Sequence, residues 1–316
     1  MAHLSTISAP PKAGGRAFTG YAWGVLAWNL FVILWGAYVR ASASGAGCGS
    51  HWPLCNGEVV PRSPQLATII EFTHRITSGL ALFAVLGLVI WSAVRFPSGH
   101  RVRRAAMVSL IFIVMEALLG AGLVLLQLVA QDASSGRAFY LSLHLVNTLF
   151  LLGALALAAW FSREPLESAR SGRRSFVMTG TLPVAILVSV TGAIAALGDT
   201  LFPSSSLIEG MRQDAATTAS FLVRLRIVHP ILAVFAAAYF ASVAITVLRS
   251  KPQGAIARIA LFVLVATLAQ LGAGAINLAL LAPIGMQILH LFLADLVWIS
   301  LVLLVVEAEN GQRQIN

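Results

Sequence analysis

Residues 66–94 read LATIIEFTHRITSGLALFAVLGLVIWSAV, and this stretch decides the fold. It is long enough to cross a bilayer as a single helix, which needs about 20 mainly apolar residues. Near its start it carries Glu71, His74 and Arg75, which are ionisable residues of the kind that are costly inside a membrane and usually mark a site. The stretch therefore predicts a membrane helix with a functional group near one end.

The composition of the chain extends this interpretation to the whole protein. Of its 316 residues, 58% are hydrophobic and 10% are charged, whereas soluble domains carry about 25% charged residues. A soluble domain is thereby excluded, and the prediction is an all-α integral membrane protein with eight transmembrane helices. The predicted helices cover residues 21–40, 66–94, 105–128, 138–162, 176–197, 219–248, 256–281 and 285–306.

The chain divides into two predicted halves around a polar linker. A four-helix unit begins and ends on the same side of the bilayer, so two tandem bundles are expected to be related by a pseudo-two-fold axis along the membrane normal. The predicted parts are an N-terminal segment (residues 1–20), an N-terminal half (21–162), a linker (163–175), a C-terminal half (176–306) and a tail (307–316).

The basic residues predict the orientation. Of 21 Lys and Arg residues, 14 lie in the two terminal segments and in the loops on the same side, and three lie in the opposite loops. Because Lys and Arg concentrate in cytoplasmic loops, both termini are predicted to be cytoplasmic. The same bias of short loops between membrane helices explains the net charge of +9, so the lipid bilayer is the predicted surrounding and no nucleic-acid partner is predicted.

Both cysteines, Cys48 and Cys55, lie in the first outer loop. Disulfides persist in oxidising compartments, so a Cys48–Cys55 disulfide is the favoured interpretation. A metal site that also uses His51 is the alternative, although three ligands without a fourth are a weak zinc signal.

Four histidines are the strongest candidate functional residues. His74, His144, His229 and His290 lie on the second, fourth, sixth and eighth predicted helices, each about five to ten residues past the helix start on the outer side. A lone histidine in a membrane helix usually bonds a neighbouring helix. Four at matched depth favour haem iron ligation by facing imidazoles. The chain has no CxxCH motif, so such a haem would not be attached in the c-type manner.

The histidines also suggest an internal repeat. His74 and His229 are 155 residues apart, and His144 and His290 are 146 apart, while Glu116-Ala-Leu-Leu-Gly120 resembles Gln270-Leu-Gly272. One haem-sized pocket per half follows from this pattern.

The two halves differ beside their first histidine. Glu71 precedes His74 by three residues, whereas Arg226 precedes His229 by three. A carboxylate there can move protons, and a guanidinium suits haem propionates, so the first half is interpreted as the reaction site and the second as an electron-transfer haem. The alternative for Glu71 is an ion pair with Arg75 four residues on, and Arg75 is either that partner or a propionate anchor.

The sequence Cys48-Gly-Ser-His-Trp-Pro-Leu-Cys55-Asn-Gly, followed by Glu71-Phe-Thr-His74-Arg75, resembles the signature of the haem A synthase family. The resemblance extends over nearly the whole chain, through His144, His229 and His290. It implies an enzyme of the bacterial plasma membrane that oxidises the C8 methyl group of haem O to a formyl group, by successive hydroxylations, to supply haem A to terminal cytochrome oxidases.

The same resemblance implies roles for these residues. His74 and His144 would hold the iron of the substrate haem O, His229 and His290 that of a haem b cofactor, and Glu71 would be catalytic. Cys48 and Cys55 would form a disulfide. Haem O synthase and an electron donor are the implied partners, and a homo-oligomer stays open.

Two departures from the family pattern matter. The outer loop at residues 198–218 lacks the second cysteine pair that some members carry. Glu116 stands where an amide is expected, and the sequence leaves it either a proton relay or a helix-to-helix hydrogen bond. A non-catalytic di-haem cytochrome b and a haem transporter or chaperone are the competing functions.

Overall fold

The computed structural model describes residues 15–163, 180–216 and 220–311. Within these ranges the regular structure is helical, apart from an isolated bridge between Cys55 and Glu58. The helices are α1 (Gly15–Ala41), α2 (Leu66–Arg95), α3 (Arg101–Leu125), α4 (Ser135–Phe161), α5 (Thr181–Leu201), α6 (Leu207–Ala215), α7 (Phe221–Arg249), α8 (Ala255–Ala279) and α9 (Ile284–Gly311).

Eight of these helices are long and apolar enough to cross a membrane, which confirms the predicted fold class. The short amphipathic helix α6 was not predicted. Helix α1 begins at Gly15 instead of residue 21, and α9 continues to Gly311 instead of residue 306. Apolar residues identify only the part of a helix that crosses the hydrocarbon core. The backbone hydrogen bonds of a helix can continue beyond that part, so α1 and α9 are longer than their apolar runs. Most of the predicted linker, at residues 164–175, lies outside the described residues, as do residues 1–14 and 312–316.

Local sequence explains several helix ends. The side chains of His100, Ser134 and Ser206 each accept a hydrogen bond from a backbone N–H of the first turn of α3, α4 and α6. Such caps satisfy amide groups that have no partner within the helix. Helix α2 ends at Arg95, two residues before Pro97, as the backbone restriction imposed by proline predicts.

The membrane helices pack as two rings of four. In the first ring α1 contacts α2, α2 contacts α3, α3 contacts α4 and α4 contacts α1; in the second, α5, α7, α8 and α9 contact each other in the same cyclic order. The rings meet where α4 packs on α5 and α9, and where α1 packs on α9. These contacts are those expected of a tandem repeat, while the two-fold axis itself stays a prediction.

Helices α4 and α9 form the wall shared by the two rings. Leu149, Leu152, Leu301 and Leu304 are fully buried there. The indole Nε1 of Trp298 on α9 donates a hydrogen bond of 2.6 Å to the carbonyl of Leu149 on α4. The two candidate pockets therefore lie on opposite sides of a common, tightly packed wall.

Candidate functional site: two histidine pairs

The four predicted histidines lie near the N-terminal ends of alternate membrane helices. His74, His144, His229 and His290 follow the first residue of α2, α4, α7 and α9 by eight, nine, eight and six residues. At 1.5 Å per residue, each is about 9 to 14 Å along its helix. Each ring of helices thus holds one pair, at a similar depth.

The C-terminal pair is spaced for a shared metal atom. The ring centroids of His229 and His290 are 6.5 Å apart. A metal between two imidazole nitrogens, with bonds of about 2.0 Å on each side, places the ring centres about 6.5 Å apart. The hydroxyl of Thr191 lies 3.1 Å from Nδ1 of His229, which leaves Nε2 of that ring for a metal. The pair fits a haem iron.

The N-terminal pair is less tied to its surroundings. His74 and His144 lie close enough to interact electrostatically. Nδ1 of each ring is buried and has no hydrogen-bond partner among the described residues. Nδ1 of His290 is unpaired in the same way, so within the described part of the chain only His229 of the four has a hydrogen bond at Nδ1.

Each histidine packs against a glycine of the preceding membrane helix. In three of the four cases a methyl group on the glycine would come closer to the imidazole than real Cβ atoms do. The gaps from an added Cβ to the nearest ring atom are 2.9 Å for Gly36 and His74, 2.8 Å for Gly192 and His229, 2.9 Å for Gly274 and His290, and 3.9 Å for Gly120 and His144.

These glycines were missed in the sequence, although a signal for them exists. Gly36 and Gly192 are 156 residues apart, and Gly120 and Gly274 are 154 apart, close to the 155 that separate His74 from His229. The structural counterpart of Gly120 is therefore Gly274, which corrects the sequence match to Gly272. The earlier match followed letter similarity, whereas the contact with the histidine identifies the equivalent position.

Cys48 and Cys55 form the predicted disulfide. The bond uses both sulfur atoms, so the alternative metal site with His51 is not formed. Within the described residues no group of three or more His, Cys, Asp or Glu side chains could hold a metal ion.

Glu71 lies beneath the disulfide loop. Its side chain is 5% exposed, one oxygen accepts a hydrogen bond of 2.8 Å from the backbone N–H of Cys48, and the other accepts one of 2.5 Å from Arg75. No hydrogen bond or ion pair joins Glu71 to His74 in the described part of the chain. The ion pair that the sequence offered as the alternative is thus present, and it is buried.

Arg75 extends the same anchor. Its Nη1 donates to the backbone carbonyls of His51 and Leu54, both at 2.7 Å. The partner role is therefore the one that the contacts of Arg75 support, and Glu71 and Arg75 together fasten the disulfide loop to the helix that carries His74.

Arg226, the counterpart in the second half, is also paired. Its guanidinium lies 3.4 Å from Asp199 on α5 and 3.1 Å from Asp214 on α6, and it donates to the carbonyl of Phe202. Burial raises the pKa of Asp214 above its usual range, against the opposing attraction of Arg226. Arg226 thus fastens α6 and the end of α5, while contact with propionates stays a prediction.

Glu116 forms a helix-to-helix contact, which was one of its two predicted roles. Its carboxylate accepts hydrogen bonds of 2.5 Å from both Asn147 and Thr148 on α4. One oxygen also lies 3.6 Å from Nε2 of His144. The equivalent contact in the second half joins Gln270 to Nε2 of His290 at 3.3 Å.

Two polar residues of the membrane helices were not assigned a role from sequence. Arg40 on α1 donates to the carbonyl of Ala196 on α5 and to the side chain of Gln287 on α9, which joins the two rings at the end of the bundle that carries the histidines. Asp295, further along α9, is 1% exposed, and its Oδ2 has no hydrogen-bond partner among the described residues.

Several known proteins are similar to this chain. Residues 19–302 match the COX15-CtaA family model, described as cytochrome oxidase assembly protein. A Thermus thermophilus protein named protoheme IX farnesyltransferase is 47% identical over 300 residues, which are 94% of this chain and 49% of that protein. The heme A synthase of Halalkalibacterium halodurans is 34% identical over 149 residues, 47% of this chain and 49% of that protein.

A third relative, the heme A synthase of Staphylococcus carnosus, is 32% identical over 198 residues, 60% of this chain and 62% of that protein. The chain spans about half the length of the first curated relatives it matches.

Proposed function

Since the chain belongs to the COX15-CtaA family of cytochrome oxidase assembly proteins, we propose that it is a haem A synthase that oxidises the C8 methyl group of haem O to a formyl group. The observation that carries the proposal is the presence of two histidine pairs at one depth, one in each ring of four helices. An enzyme that modifies one haem while using another requires two such sites.

The C-terminal half, residues 176–306, is assigned the cofactor. His229 and His290 would hold the iron of haem b, supported by their 6.5 Å ring separation and by the hydrogen bond between Nδ1 of His229 and the hydroxyl oxygen of Thr191. When bound, haem b supplies one-electron redox chemistry. The protein contributes the orientation of the His229 imidazole, because a hydrogen bond at the second nitrogen sets the tautomer of a ligating histidine.

The N-terminal half, residues 21–162, is assigned the substrate. His74 and His144 would hold haem O, and Glu71, one helical turn before His74, is the proposed catalytic carboxylate. The support for Glu71 is its burial and its position on the face of α2 that carries His74. For Glu71 to transfer a proton, the substrate would have to replace one of the two present hydrogen-bond donors to its carboxylate, the Cys48 N–H or Arg75.

We further propose that the protein lies in a bacterial plasma membrane with both termini in the cytoplasm. The distribution of Lys and Arg supports this orientation. The histidine pairs and the disulfide then lie toward the outer face, where oxidising conditions preserve the disulfide.

A haem farnesyltransferase is the proposed supplier of the substrate. The Thermus relative carries that name and is about twice as long as the part that matches this chain. We infer that this chain corresponds to a haem-oxidising half of that relative and that farnesyl transfer belongs to the remainder. Oxidation of the methyl group removes electrons from the substrate, so an oxidant must accept them. Where each hydroxylation uses O2 as that oxidant, an electron donor is also required to reduce the second oxygen atom to water.

Farnesyl transfer by this chain itself is the second candidate, favoured by the 47% identity to that relative. Co-expression with a source of haem O, followed by chromatography of extracted haems, tests the main proposal: haem A should accumulate. Expression in cells that contain haem b but lack a farnesyltransferase tests the second candidate, since haem O would then appear. Recovery of unchanged haem O in the first experiment would favour the di-haem electron carrier or the transporter instead.

A further inference from the structure

The surroundings of the four histidines differ in a way that distinguishes a resident haem from an exchanging one. In the second half, Nδ1 of His229 shares a hydrogen bond with the hydroxyl of Thr191 and its ring packs closely on Gly192, while the ring of His290 packs closely on Gly274. Contacts to the second shell of a metal ligand fix its orientation and usually strengthen binding. A close glycine therefore confines both C-terminal rings, and a hydrogen bond at Nδ1 also orients His229, whereas Nδ1 of His290 has no partner among the described residues.

The first half lacks two of these restraints, the hydrogen bond at Nδ1 of its first histidine and the close glycine beside its second. The residue that corresponds to Thr191 is Trp35, each directly preceding the glycine that contacts the histidine. Nδ1 of His74 has no partner among the described residues. His74 is nevertheless packed on Gly36, where an added Cβ would lie 2.9 Å from its ring. The His74 ring is therefore positioned by packing and not by a hydrogen bond at Nδ1.

His144 is the least restrained of the four. An added Cβ at Gly120 would lie 3.9 Å from its ring, an ordinary van der Waals distance, so this glycine leaves the imidazole room to move. Nδ1 of His144 has no partner within the described residues. Its side chain keeps 25% of its surface exposed.

Glu116 is available as a hydrogen-bond partner for His144 when that imidazole does not bind iron. Its Oε1 lies 3.6 Å from Nε2 of His144, slightly beyond the 2.7–3.2 Å of an ordinary N–H···O hydrogen bond. A small rotation of the free imidazole would close that gap. A carboxylate makes a shorter and stronger bond to an imidazole N–H than an amide does, so Glu116 stabilises an unligated His144 more than Gln270 stabilises an unligated His290.

We propose that His74 is the fixed ligand of the substrate haem and that His144 is the ligand that releases it, with Glu116 receiving the freed imidazole. This inference rests on the proposed function and deepens it, because an enzyme must take in haem O and give up haem A without losing its own haem. The two halves then differ in ligand mobility, through Gly120, Glu116 and Trp35.

The test uses the purified full-length protein with its second-half haem b in place and added haem b as the probe for the first half. The low-spin signal of the resident haem reports that the fold is intact. His144→Ala should still bind the probe, now as a five-coordinate, high-spin haem held by His74. His74→Ala should lose the probe, because His144 alone lacks a fixed position. Equal loss in both variants, or the reverse order, would overturn the proposal.

The glycines give a matched pair of variants. Gly36→Ala should weaken probe binding about 10-fold to 100-fold, the usual effect of disturbing the support of a ligand, while Gly120→Ala should leave it unchanged. The clash at Gly36 is with a side chain that can rotate, so the fold should survive. Equal affinities for Gly36→Ala and wild type would contradict the anchoring role of His74.

Release kinetics test Glu116. Transfer of haem to excess apomyoglobin should show a fast phase from the first half and a slow phase from the second. Glu116→Gln, which places the second-half residue in the first half, should slow the fast phase about tenfold, and Gln270→Glu should leave that phase unchanged. An unaltered fast phase in Glu116→Gln would refute the role of Glu116. None of these measurements needs turnover, so a wild type that binds and releases haem but makes no haem A would contradict the proposed function alone.

Discussion

The substitution Glu71→Gln separates anchoring from catalysis at the centre of the proposed reaction site. The Glu71–Arg75 ion pair is buried, with side-chain exposures of 5% and 13%. Removing one partner of a buried pair costs about 3–5 kcal/mol, because the other charge is left uncompensated. This exceeds the few tenths of a kcal/mol of an exposed pair at this helical spacing. Glutamine can still accept one of the two hydrogen bonds, so we expect a cost of about 3 kcal/mol, at the lower end of that range.

The effect on turnover should be much larger than this loss of stability explains. A positioned acid–base group contributes about 100-fold to 10,000-fold to rate, and glutamine cannot exchange a proton. The assay is chromatography of haems after co-expression with a source of haem O, at matched levels of folded protein. Glu71→Gln should retain haem binding and accumulate haem O or a hydroxylated product in place of haem A.

Arg75→Met is the matched control. It breaks the same ion pair from the other side and also removes the hydrogen bonds to the loop carbonyls of His51 and Leu54, yet it leaves the carboxylate in place. If Glu71 is catalytic, Arg75→Met should retain far more activity than Glu71→Gln. Equal loss in the two variants would refute catalysis by Glu71 and leave it the anchor of the loop.

Three further predictions concern the membrane, the disulfide and the cofactor. Reporter fusions after Arg104 and Lys251 should be cytoplasmic and a fusion within residues 198–218 should be outside; reversed labels would overturn the orientation. The oxidised protein should resist thiol labelling until a reductant is added, whereas immediate labelling of two thiols would show that the disulfide does not form in the membrane. His229→Ala or His290→Ala should abolish the low-spin spectrum of the purified protein, because each removes one axial ligand; persistence of that spectrum in both variants would move the cofactor to the other half.

Much of the architecture follows from local sequence. An apolar run of spanning length has few alternatives to a helix, since unpaired backbone groups are not tolerated in hydrocarbon, and all eight predicted helices are present. The depth of His74, His144, His229 and His290 follows from counting residues along those helices, because the rise per residue is constant. The helix ends in the headgroup region were less predictable, as α1 and α9 show.

Counting residues along the helices could not predict which side chains contact one another. Glu71 and Arg75 were recognisable as a helical pair, but their attachment to the disulfide loop depends on how that loop folds back over α2. Glu116 could have faced lipid, water or a neighbour. Only the packing of α3 on α4 shows that it bonds Asn147 and Thr148 and lies beside His144.

By itself, the sequence determined the membrane class, the eight helices, the disulfide and the four histidines, because each of these follows from local composition, helical period or compartment. The tertiary structure decided how firmly each histidine is held. Gly36 lies 38 residues before His74 and Gly274 lies 16 before His290, and nothing local predicts that each touches its ring. Whether a glycine leaves 2.9 Å or 3.9 Å beside an imidazole is set by how closely two helices approach, and that distance is fixed by the packing of the entire bundle.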